Sequence, residues 1–173
     1  MRQHVGRGPG YLLSHTVPNY QPEVDTQRYR AHHPTVMLEK TSLLPGAADV
    51  LATLHQVGMR LGLCSNKPRV YSSELLKYLG VADFFNVVLG PEDVARPKPA
   101  SDMLLAALAR LRLPSDRALY VGDMTVDIET ARAAGVAVWV VPSGSDDRDT
   151  LAAACPDRLL ESLREMIAGV PLA

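Results

Sequence analysis

From Leu44 onward, short apolar runs alternate with stretches of helical spacing. Pro45-Gly46 opens a segment whose apolar positions, Val50, Leu51, Leu54 and Val57, recur at helical intervals, and Gly58 follows as a stop. MRLGLCS (59–65) reads as a buried strand. The stretch 67–80 keeps Val70, Leu75, Leu76 and Leu79 on one side, ends in Gly80, and reads as a helix. NVVLG (86–90), ALYVGD (118–123) and VAVWVV (136–141) read as three more strands. The segment 100–113 reads as an Ala/Leu-rich amphipathic helix, 125–135 as a helix with a Gly stop, and 156–169 as a last one.

Apolar strands alternating with helices imply βαβ units, so the expected class is α/β, a doubly wound parallel sheet with helices on both faces. Residues 1–43 differ. They are rich in His, Pro and Gly and weakly periodic. Tyr11, Leu12 and Leu13 suggest a short helix ending before Pro18, and 25–39 a second one, bent or split near Pro34. The expected organisation is therefore an N-terminal helical segment, 1–43, ahead of an α/β core, 44–173.

Composition narrows the function. The chain has 173 residues, 47% hydrophobic and 21% charged, with a net charge of -1. These values fit a folded domain and argue against a basic nucleic-acid binder. With 5% aromatics there is little to stack single-stranded bases on. Two cysteines, Cys64 and Cys155, make no disulfide framework, and no apolar run nears the ~20 residues that span a bilayer. The N-terminus holds a three-residue apolar cluster where a signal peptide needs about 7–15. A cytoplasmic protein with no membrane and no nucleic-acid partner is expected.

Polar residues gather where strands end, which is where ligands bind in doubly wound sheets. Ser65 and Asn66 follow the first strand, and either cap the next helix or face a ligand. Gly122-Asp123-Met124-Thr125-Val126-Asp127 places two carboxylates four residues apart at a strand–helix junction. They suit Mg²⁺, which takes one or two carboxylates, waters and a substrate phosphate, or they serve the helix as cap and dipole partner. Lys98 stands between Pro97 and Pro99 in a chain of four lysines and fourteen arginines. It is an anion clamp in a rigid loop or an ordinary solvated lysine. His32 and His33 are adjacent and point apart, which argues against a shared metal. Cys64 and Trp139 sit in apolar strands and read as core. There is no GxxxxGK[ST], GxGxxG, HExxH or CxxC.

In order, the strand ending Ser65-Asn66-Lys67-Pro68, then Arg96-Pro97-Lys98-Pro99, then YVGDMTVDIETARAAG resembles the haloacid dehalogenase (HAD) superfamily, in its phosphoglycolate phosphatase-like branch. The match runs from about Leu44 to Val141, and VGRGPGYLL with QRYRAHHP…LLPGAADVL is similar to the later part of that branch's helical cap. The resemblance implies a Mg²⁺-dependent phosphomonoester hydrolase acting on a small phosphorylated metabolite of 2-phosphoglycolate type. Ser65 would donate to the transferring phosphoryl group, Asn66 would help position the phosphate, Lys98 would neutralise charge, and Asp123 and Asp127 would hold Mg²⁺, directly or through water.

One element of the family pattern is missing. The nucleophilic Asp of a strand ending DxDGT is not in these residues. Asp147-Arg148-Asp149-Thr150 has the spacing but follows the last strand and has no apolar strand before it. The reading is therefore an N-terminally truncated chain with a partial helical cap, its core lacking the central first strand, and inactive alone. The alternative is a non-catalytic phosphate- or Mg²⁺-binding module of the same fold, or a gene fragment. In this family the missing strand lies between those matching 59–64 and 118–122. Its loss leaves two facing edges unpaired, at ~1–3 kcal/mol for each orphaned buried group. An open gap would favour a homo-oligomer.

Overall fold

The computed structural model describes residues 6–169, so the first five residues of the N-terminal segment lie outside the described part. Two helices come first, α1 (Pro9–Thr16) and α2 (Pro22–Val36). Then follow α3 (Ala47–Gln56), β1 (Leu61–Cys64), α4 (Arg69–Tyr78), β2 (Phe85–Leu89), α5 (Asp102–Leu111), β3 (Leu119–Gly122), α6 (Thr125–Ala133) and β4 (Ala137–Val140). The chain ends in α7 (Arg148–Ala153), β5 (Arg158–Leu159) and α8 (Glu165–Gly169). No helix of the described residues is long and apolar enough to cross a membrane.

The four expected strands are present and every described pairing is parallel, but they form two sheets, β1–β2 and β3–β4–β5. No ladder joins β1 to β3. The gap expected between these strands is therefore open among the described residues. Helices on either side bridge it. On one face α5 (Met103, Leu104, Ala107, Leu108) and α6 (Ile128, Ala131) pack into a single cluster with Cys64, Val87 and Leu89 from the first sheet and Val138 and Val140 from the second. On the other face Val50 and Leu54 of α3 and Met166 of α8 pack with Leu61, Val121, Trp139 and Val141. The alternation Val138/Trp139/Val140/Val141 sends successive side chains to opposite clusters, as strand geometry requires.

One sequence expectation needs correction and another is narrowed. The segment 156–169 is not one helix. Asp157 accepts the Val138 amide through its side chain, and Arg158–Leu159 pairs with β4 before α8 begins at Glu165. Of the two outcomes expected at Pro34, bent or split, the split does not occur, since α2 runs two residues past it to Val36. Proline cannot donate to the carbonyl four residues back, that of Arg30. The Tyr71 hydroxyl of α4 donates to it instead, at 3.4 Å.

Candidate functional site

Loops at the carboxyl ends of β1 and β3 meet the loop after β2 at one place. Asn66, buried to 7% exposure, does the joining. Its side-chain oxygen accepts the Lys98 amide at 3.0 Å, and its side-chain nitrogen donates to the Lys98 carbonyl and the Gly6 carbonyl, both at 2.9 Å. Both amide hydrogens are thereby committed, so Asn66 acts through the loop that it holds. The alternative that Ser65-Asn66 caps the next helix fails, because Pro68 occupies that position and no side chain caps it. The Ser65 hydroxyl accepts the Lys67 amide at 3.1 Å, which leaves its own proton available to a ligand.

Lys98 turns its ammonium onto Asp127, Nζ to Oδ1 at 2.7 Å, with only 10% and 4% of the two side chains exposed. Asp127 lies in the first turn of α6, and its second oxygen accepts the amides of Asp123 and Met124 at 3.1 and 3.2 Å. Asp127 thus serves the helix N-terminus, as one of its two readings had it, and also pairs with the Lys98 ammonium. Asp123 is different. It borders a cavity of about 310 Å³ lined by Leu44, Val121, Val141, Ser143 and Leu163. Burial first, and then the neighbouring Asp127 charge, raises its carboxyl above the ordinary range against the pull of Lys98. An anion held in this way is short of positive charge, and a hard divalent cation at the cavity would supply it. Among the described residues no group of three or more His, Cys, Asp or Glu could hold a metal.

Three members of this arrangement carried no signal in the sequence. Tyr120, which entered the sequence reading only as part of the strand 118–123, places its hydroxyl 3.2 Å from Asp127 Oδ1, Lys98 Nζ and the Cys64 carbonyl alike. It thus reaches across the open gap from β3 to the backbone of β1. Burial, then Asp127, holds its phenol well above the usual range, so it stays protonated. Gly144 leaves room for Asp123, since a Cβ there would fall 1.6 Å from the carboxylate oxygen. Asp146 accepts the Thr125 amide at 2.7 Å, at the start of α6. Cys64 is core, as expected, its thiol pushed up to about 11 by burial. The 147–149 pair sits on an exposed helix start, where Asp147 caps α7 by accepting the Thr150 amide at 2.8 Å. It lies outside the cluster.

Residues 2–141 match the family model for haloacid dehalogenase-like hydrolases. Over 173 residues the chain is 31% identical to a phosphoglycolate phosphatase of Salmonella paratyphi A, covering 99% of this chain and 68% of that protein. It is 37% identical over 155 residues to the phosphoglycolate phosphatase of Rhodospirillum rubrum, covering 83% of this chain and 64% of that one. Among solved structures, a haloacid dehalogenase-like hydrolase of Bacteroides fragilis superposes with a TM-score of 0.86 at 31% identity, covering 95% of this chain and 80% of that one. A Streptococcus pneumoniae protein of the same description shares the fold, with a TM-score of 0.86 at 22% identity over 97% of this chain and 79% of that one. The family model spans well over half of the sequence, and the motif order agrees with it. The chain belongs to the haloacid dehalogenase-like hydrolase family.

Proposed function

We propose that this chain carries the phosphate- and Mg²⁺-binding half of a phosphomonoester hydrolase for a small phosphorylated metabolite of the 2-phosphoglycolate class. The observation that carries the reading is the buried Lys98–Asp127 pair, its loop fastened by Asn66, with Asp123 bordering the cavity. Ser65 donates its hydroxyl proton to a phosphoryl oxygen. Lys98 offsets phosphate charge while Asp127 fixes its ammonium. Asp123, which borders the cavity, is the residue that would hold Mg²⁺ directly, while Asp127, whose oxygens already accept from Lys98, Tyr120 and two amides, would act on it only through water; when bound, the ion would neutralise charge developing on the transferred group. The relatives named phosphoglycolate phosphatase support the substrate class.

These 173 residues contain no DxDGT, so attack at phosphorus needs a carboxylate from elsewhere. We therefore expect the chain alone to bind without turnover. The test is a phosphatase assay with 2-phosphoglycolate and an aryl phosphate, using the chain alone and the chain preceded by an apolar strand ending in DxDGT. Mg²⁺-dependent release only from the extended form supports the proposal. Release from neither form, with Mg²⁺ and phosphate still bound, favours a non-catalytic binding module.

A further inference from the structure

We propose that His33 and Lys67 form a proton-operated latch that fastens helix α2 to the loop after β1, closed when the imidazole is neutral and released when it takes up a proton. The proposal does not depend on phosphoryl chemistry. Lys67 Nζ lies 3.1 Å from His33 Nε2. An ammonium only donates, so Nε2 carries the lone pair and the ring proton sits on Nδ1. That assignment agrees with the other side of the ring, where Nδ1 lies 3.3 Å from the Tyr29 hydroxyl. Tyr29 stacks on the imidazole with centroids 5.1 Å apart, and Tyr71 of α4 meets it edge-on at 5.3 Å. Tyr71 also donates to the Arg30 carbonyl that Pro34 leaves without an amide. One imidazole is therefore the hub where α2 meets both α4 and the loop bearing Ser65 and Asn66.

The charge pattern makes the contact sensitive to acid. The groups facing the ring are Tyr29 and His32 on its own helix, Lys67 on the loop, and Tyr71 on α4. Among the described residues no carboxylate forms an ion pair with His33 or Lys67. When Nε2 takes a proton from water its lone pair is lost. Two cations then face each other across a former hydrogen bond, with no anion between them. Burial first, then the Lys67 and His32 charges, accordingly lowers the His33 pKa. Burial lowers that of Lys67 too. A group whose folded pKa is depressed stabilises the closed contact above its ordinary value of ~6.5, and the contact weakens as pH falls toward the folded value.

The test follows His33 by NMR in the full chain, together with hydrogen-exchange protection of α2 corrected for intrinsic rates. In the unmodified chain His33 should titrate below ~6.5, and α2 protection should fall by about tenfold across the same midpoint. Lys67→Met should raise the His33 midpoint, whereas Lys67→Arg should keep it low. His33→Gln should leave α2 protection flat across that range. Tyr71→Phe should lower protection at every pH without moving the midpoint. A His33 midpoint unchanged in Lys67→Met, or α2 protection in His33→Gln that still falls with the unmodified midpoint, would overturn the latch.

Discussion

Asp127 accepts from Lys98, Tyr120 and two main-chain amides while it is almost wholly buried. Removing the cation strands a charge there. We expect Lys98→Met to destabilise the chain by about 3 kcal/mol, near the low end of the range for a broken buried pair because the two amides remain. Tyr120→Phe removes the hydroxyl that reaches the Cys64 carbonyl but leaves Lys98 and Asp127 paired, and should cost less, about 1–2 kcal/mol, both measured by urea unfolding. Asp123 makes a prediction of opposite sign. Its raised pKa means that the neutral form is favoured in the fold, so its contribution to stability is present at low pH and lost as pH rises through the folded value. Asp123→Asn should therefore stabilise the metal-free chain at neutral pH and abolish the gain in Tm on adding Mg²⁺. A destabilised variant that still responds to Mg²⁺ would contradict this. Gly144→Ala should displace the Asp123 carboxylate and weaken the Mg²⁺ response while leaving far-UV circular dichroism unchanged.

At the scale of elements, the open gap sets which amides are protected. Ser65 donates to Leu89, so odd-numbered residues of β1 face β2, while Gly62 and Cys64 face the gap. Val141 donates to Gly122, so Leu119 and Val121 face the gap from β3. Amides of Gly62, Cys64, Leu119 and Val121 should exchange far faster than those of Leu63, Ser65, Tyr120 and Gly122. Equal protection on both sides would show the edges filled. The strand ends were legible from the sequence because uninterrupted apolar runs closed by polar residues mark buried strands. The α5 and α6 periods were legible for the analogous reason. The tail was not, because Leu159, Leu160, Leu163 and Met166 fit a helical spacing until the free edge of β4 takes Arg158–Leu159 into the sheet. The continuity of α2 past Pro34 was hidden for a similar reason. A hydroxyl from another helix answers the carbonyl that the proline orphans, and no local rule contains that helix.

For the molecule as a whole, two half-sheets are held by helical layers, by the Lys98–Asp127 pair and by the Tyr120 hydroxyl across the opening between them. The sequence motifs singled out Ser65, Asn66, Lys98, Asp123 and Asp127 as candidates because strand ends gather polar groups. They could not name Tyr120, Gly144 or Asp146, whose parts depend on contacts 7 to 56 residues away and on space rather than on residue type. The central claim is that Ser65, Lys98, Asp123 and Asp127 together take up phosphate with Mg²⁺. Calorimetric titration of inorganic phosphate into the intact chain, with and without Mg²⁺, tests it directly. The account predicts saturable binding that needs Mg²⁺ and weakens by at least about tenfold, ~1.4 kcal/mol, in Asp123→Asn. Phosphate binding that is indifferent to Mg²⁺ and to Asp123, or no saturable binding at all, would contradict it.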